Sequence, residues 1–179
     1  MKRIALVALA LAVQPLAAQA APSLLELHYA PLENLETIDV NMIGTAEFSI
    51  DMAAFCLTDR PVIAALVAAK ARGVEIRIVL DPSQHHAWPE LQVLGDSVRV
   101  KHKGPLMHLK SYLVDGQMLR TGSANFTASG LKHQDNDLAL AVDDELALRF
   151  ESDFNNVWDH KTIAAPEAMA QGAATSRVQ

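Results

Sequence analysis

The feature that most constrains the fold is a strand–helix–strand run over residues 47–80. Glu47 to Ala53 alternates apolar and polar side chains, as expected of a strand with one buried face. Pro61 to Lys70 is apolar and Ala-rich, with its proline in the first turn and Gly73 beyond its end, which predicts a helix. Val74 to Leu80 contains several β-branched residues and predicts a second strand. A strand, a helix and a strand at this spacing form a right-handed βαβ unit, so the two strands are expected to be parallel.

The remaining pattern extends this unit into one α/β domain over residues 21–160 of a 179-residue chain. Further elements are predicted at 31–46 (amphipathic helix), 88–94 (short helix), 97–101 (strand), 118–121 (strand returning antiparallel), 138–142 (strand) and from Asp143 or Asp144 to about His160 (helix). From residue 161 the composition turns to Ala, Gln, Ser and Thr without an apolar stripe, which predicts a flexible tail over 161–179.

Residues 1–20 have the pattern of a secretory signal peptide. Lys2 and Arg3 precede an apolar run, from Ile4 to Val13, that is too short to span a bilayer. Ala18-Gln19-Ala20 fits the small-x-small rule for cleavage sites. We therefore expect a chain that begins near Ala21 and is periplasmic or secreted; an uncleaved membrane anchor is the alternative.

Charge and cysteine content narrow the classes of function. The chain has 15 Lys and Arg against 21 Asp and Glu, a net charge of −6, so it is not a general binder of polyanions. Cys56 is the only cysteine and lies among apolar residues, so no internal disulfide forms and the thiol is expected to be buried. The seven His residues form no metal-binding motif, so no metal or other cofactor is predicted.

Residues 108–125 carry the pattern H-x-K-x4-D-x6-G-S-x-N. On a strand, His108 and Lys110 would point to the same face, because successive side chains alternate. An imidazole beside a fixed cation suits a reaction at a phosphate. Ser123 and Asn125, again two residues apart, add a hydroxyl and an amide that can bind phosphate oxygens. The alternative for Gly-Ser-x-Asn is ordinary turn chemistry.

This pattern, together with segments 49–55, 71–81 and 121–127, resembles the phospholipase D superfamily over about residues 29–158. The small size, the export signal and the single motif are most similar to the small bacterial periplasmic endonucleases of that superfamily. The resemblance implies an α/β sandwich in which a mixed β-sheet lies between helices.

The resemblance also implies a mechanism. One histidine attacks the phosphorus of a phosphodiester to give a phosphohistidine, while a second protonates the leaving oxygen and then activates water. Because this chain has one H-x-K motif, two chains would each contribute His108 to a shared site in a two-fold homodimer. Lys110 and Asn125 would hold the nonbridging oxygens with help from Ser123, so the reaction would need no metal.

The roles of three acidic residues follow from the same resemblance. Asp115 is expected to be a structural member of the motif, because it lies too far along the strand to share the phosphate with His108. An acid after the G-S-x-N segment orients the nucleophile in this superfamily. That role falls to Asp135, with Asp137 as its competitor, although the small nucleases often have Glu there.

A basic run precedes the motif. Arg99, Lys101 and Lys103 lie near Lys110 in a stretch without acids, and we expect them to bind substrate; a solvated loop is the alternative. The run favours a nonspecific endonuclease that cleaves DNA, RNA or both, since a reaction directed at the backbone needs no base readout.

Two other functions stay open. A phospholipase D that hydrolyses phosphatidylcholine-type lipids would use the same chemistry and would need an apolar surface for the membrane. A catalytically idle binding protein could keep the fold without turnover, although the intact His, Lys, Ser and Asn set argues against it.

Overall fold

The computed structural model describes residues 24–83 and 91–168. The predicted signal peptide at 1–20, residues 88–90 of the predicted short helix and the tail beyond 168 lie outside the described residues. In chain order the elements are β1 (Leu24–Ala30), α1 (Leu35–Thr45), β2 (Ser49–Ala54), α2 (Arg60–Ala71), β3 (Glu75–Leu80), a 3-10 helix (Gln92–Ser97), β4 (Val98–Lys101), β5 (Lys110–Val114), β6 (Met118–Thr121), α3 (Ala128–Lys132), β7 (Asn136–Val142), α4 (Asp144–Lys161) and β8 (Thr162–Ala164).

The predicted βαβ unit is confirmed. β2 and β3 are parallel, with Ile50 opposite Ile76, and α2 connects them. Asp59 begins α2 by accepting a hydrogen bond from the backbone N–H of Val62 at 3.1 Å. Gly73 follows the helix with a φ of +96°, a left-handed conformation that glycine adopts without a Cβ clash. β4 then adds a third parallel strand beside β3.

The sheet is mixed, in the order β1-β7-β6-β5-β2-β3-β4-β8. Only the β2-β3 and β3-β4 pairs are parallel among the described strands. Helices α1 and α2 pack on one face, where Ile50 and Met52 are fully buried. Helix α4 packs on the other face, where Phe154 contacts a cluster that contains Ala53 and Val79. The predicted α/β sandwich, a mixed sheet between helices, is therefore confirmed.

The predicted helix boundary at residue 31 is wrong. Helix α1 begins at Leu35, where the Asn34 side chain caps it, and the residues before it form the antiparallel edge strand β1. Five of the six β1 residues before Ala30 are exposed, and they lie on both faces of the strand, so the sequence there shows no apolar periodicity. Among the described residues, no helix combines the length and the apolar character needed to cross a membrane.

The predicted start of the flexible tail at residue 161 is also wrong. Helix α4 includes Lys161, and β8 pairs antiparallel with β4, with Ile163 opposite Val100. A hydrogen bond of 2.9 Å from the N–H of His102 to the carbonyl of Lys161 continues this pairing. Backbone pairing holds β8 to the edge of the sheet, and such pairing leaves little trace in a three-residue sequence.

Candidate active site

The His-x-Lys segment lies at the start of β5. Lys110 is the first residue of the strand, and the N–H of Phe55 donates to the carbonyl of Leu109 at 2.8 Å, which extends the β2-β5 pairing toward His108. The Lys110 ammonium lies 3.0 and 3.1 Å from the two ring nitrogens of His108 and donates to the His108 carbonyl at 2.7 Å. The predicted placement of imidazole and ammonium side by side is therefore observed.

The electrostatics of this pair favour an anionic ligand. His108 is exposed, whereas the side chain of Lys110 is buried, with only 6% of the residue accessible. Burial lowers the pKa of the Lys110 ammonium, because desolvation disfavours its charge. Lys110 takes part in none of the ion pairs formed by the described residues. A partly desolvated cation without a carboxylate partner is well suited to bind a phosphate oxygen.

The G-S-x-N segment is attached to the same end of β2. Phe126 forms an isolated parallel bridge with Leu57, and its N–H donates to the carbonyl of Cys56 at 3.2 Å. Cys56 is buried, as predicted, and burial raises the pKa of its thiol. Because Phe55 holds the His-x-Lys segment, consecutive residues after β2 connect the two halves of the motif.

Gly122 makes the close turn at the start of this segment. Its φ is +144°, and a Cβ there would lie 2.4 Å from the backbone oxygen of Asp137. Downstream, the side-chain oxygen of Asn125 is buried and has no hydrogen-bond partner among the described residues. Since buried polar atoms are rarely left unpaired, Asn125 is well suited to a ligand that supplies the missing contact.

Ser123 is tied to the start of β7. Its hydroxyl donates to the side-chain oxygen of Asn136 at 3.1 Å and accepts from the N–H of Asp137 at 2.9 Å. The carboxylate of Asp137 accepts in return from the N–H of Ser123 at 3.1 Å. The hydrogen bond with Ser123 lowers the pKa of Asp137. Asp135 is exposed, and neither carboxylate is hydrogen-bonded to His108 in the described structure, so the choice of the orienting acid stays a prediction.

Asp115 lies at the opposite end of β5 and holds backbone. Its carboxylate accepts from the N–H groups of Glu47, Phe48 and Ser49 at 3.0, 2.7 and 2.8 Å. Partial burial alone would raise the pKa of Asp115, but the three donors outweigh it, so the pKa lies below its ordinary value. Asp115 has a φ of +52° in the turn before β6. This arrangement gives the residue a structural role.

Two of the three residues predicted to bind substrate, Arg99 and Lys101, have partners within the protein, and substrate binding by these residues stays a prediction. Strand alternation directs Arg99 under α4, where its guanidinium lies 4.4 Å from the ring of Trp158 and donates to the Trp158 carbonyl at 3.2 Å. Lys101 is buried and donates to the carbonyl of Pro105. Lys103 alone among the three is exposed, and its substrate contact stays a prediction.

Sequence reasoning missed a buried ion pair beneath the site. Arg120 and Asp39 are both fully buried and form two hydrogen bonds, of 2.9 and 3.0 Å. The Tyr112 hydroxyl donates to the same carboxylate at 3.0 Å. A usable signal was present, because Asp39 lies on the apolar stripe of α1 between Leu35 and Met42. A charge on a buried helical face requires a partner.

Within the residues that the structure describes, no group of three or more His, Cys, Asp or Glu side chains could hold a metal ion. The metal-independent reaction stays a prediction.

The chain matches one known protein family and several curated proteins. The family described as "Cardiolipin synthase, PLD-like domain" matches residues 40–158. A phospholipase D of Rickettsia conorii is 36% identical over 111 residues, which cover 60% of this chain and 56% of that protein. A mitochondrial cardiolipin hydrolase of Drosophila melanogaster is 30% identical over 154 residues, which cover 73% of this chain and 60% of that protein. The chain thus spans just over half the length of these curated relatives.

Two solved bacterial structures share the fold over nearly their whole length. Nuc of Salmonella typhimurium, described as a phospholipase D family member, superposes with a TM-score of 0.73 at 25% identity, over 80% of this chain and 98% of that one. NucT of Helicobacter pylori superposes with a TM-score of 0.71 at 19% identity, over 80% and 99%.

Proposed function

The chain belongs to the phospholipase D superfamily of phosphodiester hydrolases, close to the bacterial Nuc-type members, and from this premise we propose that it is a metal-independent, nonspecific endonuclease. The observation that carries the proposal is the exposed His108 ring beside the buried Lys110 ammonium, 3.0 Å apart, with no carboxylate paired to the lysine among the described residues. A nucleophile next to an available cation fits attack at an anionic phosphorus.

The proposed reaction has two displacements. In the first, a ring nitrogen of His108 bonds to phosphorus as the phosphorus–oxygen bond to the leaving group breaks, and a second histidine donates a proton to that oxygen. In the second, the same histidine takes a proton from water, whose oxygen displaces His108. Lys110 and Asn125, with Ser123, bind the nonbridging oxygens throughout. Negative charge that builds on those oxygens is met by donors already in place.

The second histidine is His108 of another copy in this proposal, so the active unit is a homodimer with one shared site. Sedimentation at the concentrations used for assays tests the assembly, and a dimer is expected. Full activity of a strictly monomeric species would contradict the shared site.

Export of the chain is a further part of the proposal and rests on residues 1–20. Mass spectrometry of the 179-residue chain expressed in a Gram-negative host is expected to give a form that begins near Ala21, in the periplasm or the medium. Retention of Met1 in the cytoplasmic fraction would contradict export.

A phospholipase is the second candidate, and an exposed apolar surface favours it. Leu25 and Leu27, on one face of the edge strand β1, are 64% and 52% exposed, and the nearby Leu32 is 91% exposed. Such a surface could contact lipid. The matched relatives that carry the names phospholipase D and cardiolipin hydrolase support the same candidate. A catalytically idle binding protein, the third possibility, would keep the His, Lys, Ser and Asn set without turnover.

Parallel turnover assays separate these functions. The purified protein is assayed with plasmid DNA, RNA and phosphatidylcholine vesicles in excess chelator. His108→Asn is assayed in the same way, and the control is His133→Asn, which changes an exposed histidine at the end of α3. Cleavage of nucleic acid by the wild type and the control, but not by His108→Asn, is expected. Choline release without nucleic-acid cleavage would favour the lipase, and loss of cleavage in chelator would contradict the metal-free reaction.

A further inference from the structure

One buried guanidinium touches both halves of the motif. Nε and Nη2 of Arg120 bind the Asp39 carboxylate, which leaves Nη1 to donate to the Lys110 carbonyl at 2.7 Å and to the Ala124 carbonyl at 3.3 Å. Ala124 lies between Ser123 and Asn125. Arg120 therefore connects the strand that carries Lys110 to the loop that carries the amide.

The connection is rigid for geometric reasons. A guanidinium is planar, so its N–H groups point in fixed directions. Nη1 therefore holds the carbonyls of Lys110 and Ala124 at a set separation, while Nε and Nη2 are held by the Asp39 carboxylate. The ring of Phe126 lies 4.5 Å from the guanidinium carbon and closes one face of the group. The Tyr112 hydroxyl also holds Asp39, which is fully buried in α1. Rotation of Arg120 away from the two carbonyls would thus break several buried contacts.

We propose that Arg120 is a positioning residue of the phosphodiester reaction, which sets the distance between Lys110 and Asn125 so that both reach the nonbridging oxygens of one phosphate. This inference rests on the proposed function. It goes beyond that function because Arg120 and Asp39 are outside the motif and are too deeply buried to touch substrate.

The same sheet offers a second ion pair for comparison, between β2 and β3. Arg77 and Asp51 form hydrogen bonds of 2.6 and 2.5 Å beneath α4, and Arg77 lies 5.1 Å from the ring of Phe154. None of the contacts described for this pair involves the His-x-Lys or G-S-x-N segments. Its removal measures what the loss of a largely buried ion pair costs without disturbing the site.

The test compares two double variants of the full chain. Arg120→Met/Asp39→Asn removes both charges together and keeps an acceptor for Tyr112, so that no unpaired charge is left in the core. Arg77→Met/Asp51→Asn is the control. We expect kcat on the cleaved substrate to fall by about 10- to 100-fold in the first variant, with a smaller change in KM, because displacement of a catalytic group by about 1 Å has effects of that size. The control is expected to keep the wild-type kcat.

Inorganic phosphate gives a readout that does not depend on turnover. Titrated against protein labelled with nitrogen-15 at histidine, it is expected to shift the His108 ring signals and to bind about tenfold more weakly to Arg120→Met/Asp39→Asn than to the control variant. If the wild type cleaves no phosphodiester, the proposed function fails, while the phosphate titration still decides the role of Arg120.

Thermal melts establish that each variant is folded at the assay temperature. If the double variant unfolds, Arg120→Lys takes its place, because it keeps the charge but cannot reproduce the fork, and the same drop in kcat and in phosphate affinity is expected. A folded variant with wild-type kcat and wild-type phosphate affinity would show that Arg120 serves stability alone and would overturn the proposal.

Discussion

The two ends of β5 carry charged residues of one motif and use them in opposite ways. At the start of the strand, Lys110 holds its ammonium beside His108, without a carboxylate partner among the described residues. At the other end, Asp115 has its carboxylate engaged by three backbone N–H groups. The difference teaches that one short sequence pattern can place the candidate catalytic residues at one end of a strand and a residue that stabilises the fold at the other end.

The free-energy consequences of the two ends also differ. A buried charge without a partner costs stability, whereas a carboxylate with several charge-assisted hydrogen bonds contributes to it. Substitutions at the start of β5 should therefore change turnover and leave stability nearly unchanged. Substitutions at its end should do the reverse, and each prediction below tests one side of this contrast.

The largest effect is expected for His108→Asn. Removal of the nucleophile should reduce kcat by at least about 10³-fold, as for other residues that form covalent intermediates. The side chain is exposed, so the free energy of unfolding should change by less than about 0.5 kcal/mol. Turnover and urea unfolding of the same preparation measure both quantities. A variant that is inactive because it is unfolded would break the contrast.

A smaller loss of turnover is expected for Lys110→Met. Loss of one donor to the developing charge should lower kcat by about 10²- to 10³-fold. Removal of an ammonium whose pKa is lowered by burial should leave stability unchanged or raise it slightly. Lys70→Met, at an exposed position in the last turn of α2, is the matched control for the loss of a positive charge. Equal losses of kcat in the two variants would contradict the assignment.

At the other end of the strand, Asp115→Asn should change stability. Asparagine tolerates the φ of +52° but lacks the charge that binds three N–H groups, so we expect a loss of about 1–3 kcal/mol in the free energy of unfolding. The kcat per folded molecule should stay within about twofold of the wild type, since nothing at the His108 end changes. A drop in kcat at unchanged stability would reverse the roles assigned to the two ends.

The pH dependence of that stability difference has a defined sign. The pKa of Asp115 in the folded protein lies below its ordinary value of 3.8. Its contribution to the free energy of unfolding is therefore complete at pH values above 3.8 and disappears as the pH falls through the pKa of the folded state. Urea unfolding should show the whole difference in free energy of unfolding between wild type and Asp115→Asn at neutral pH, and this difference should shrink in acid. A difference that grows in acid would contradict the low pKa.

The smallest effect on turnover is expected for the two acids, Asp135 and Asp137, that are candidates for orienting His108. If Asp135 orients His108, then Asp135→Asn should lower kcat by about tenfold with no change in stability, because its side chain is exposed. Asp137→Asn should chiefly weaken the attachment of Ser123 to β7 and cost less than about 1 kcal/mol of stability. The opposite pattern in kcat would assign the orienting role to Asp137.

Sequence reasoning succeeded where one local pattern decides the structure. The apolar runs around the βαβ unit predict parallel strands, and the two-residue spacing of His108 and Lys110 predicts their contact, because both depend on neighbours along the chain. Pro61 in the first turn of α2 and Gly73 beyond its end belong to the same class.

It failed where the outcome depends on distant partners. The partners of Arg99 and Lys101, which are the carbonyls of Trp158 in α4 and of Pro105 in the loop after β4, are not visible in any local pattern. Arg120 and Asp39 are 81 positions apart, and their pairing is visible only once α1 lies on the sheet. The edge strands β1 and β8 are held by backbone pairing, which side-chain patterns record weakly.

The central claim is that His108 forms a covalent bond to phosphorus during turnover. The most direct test mixes the enzyme with an excess of labelled phosphodiester, quenches with alkali within one turnover, since phosphohistidine survives at high pH, and maps the label by mass spectrometry. We predict a phosphoryl-linked adduct on the peptide that contains His108, absent from His108→Asn. Turnover with no adduct at any quench time, or an adduct on another residue, would contradict the account.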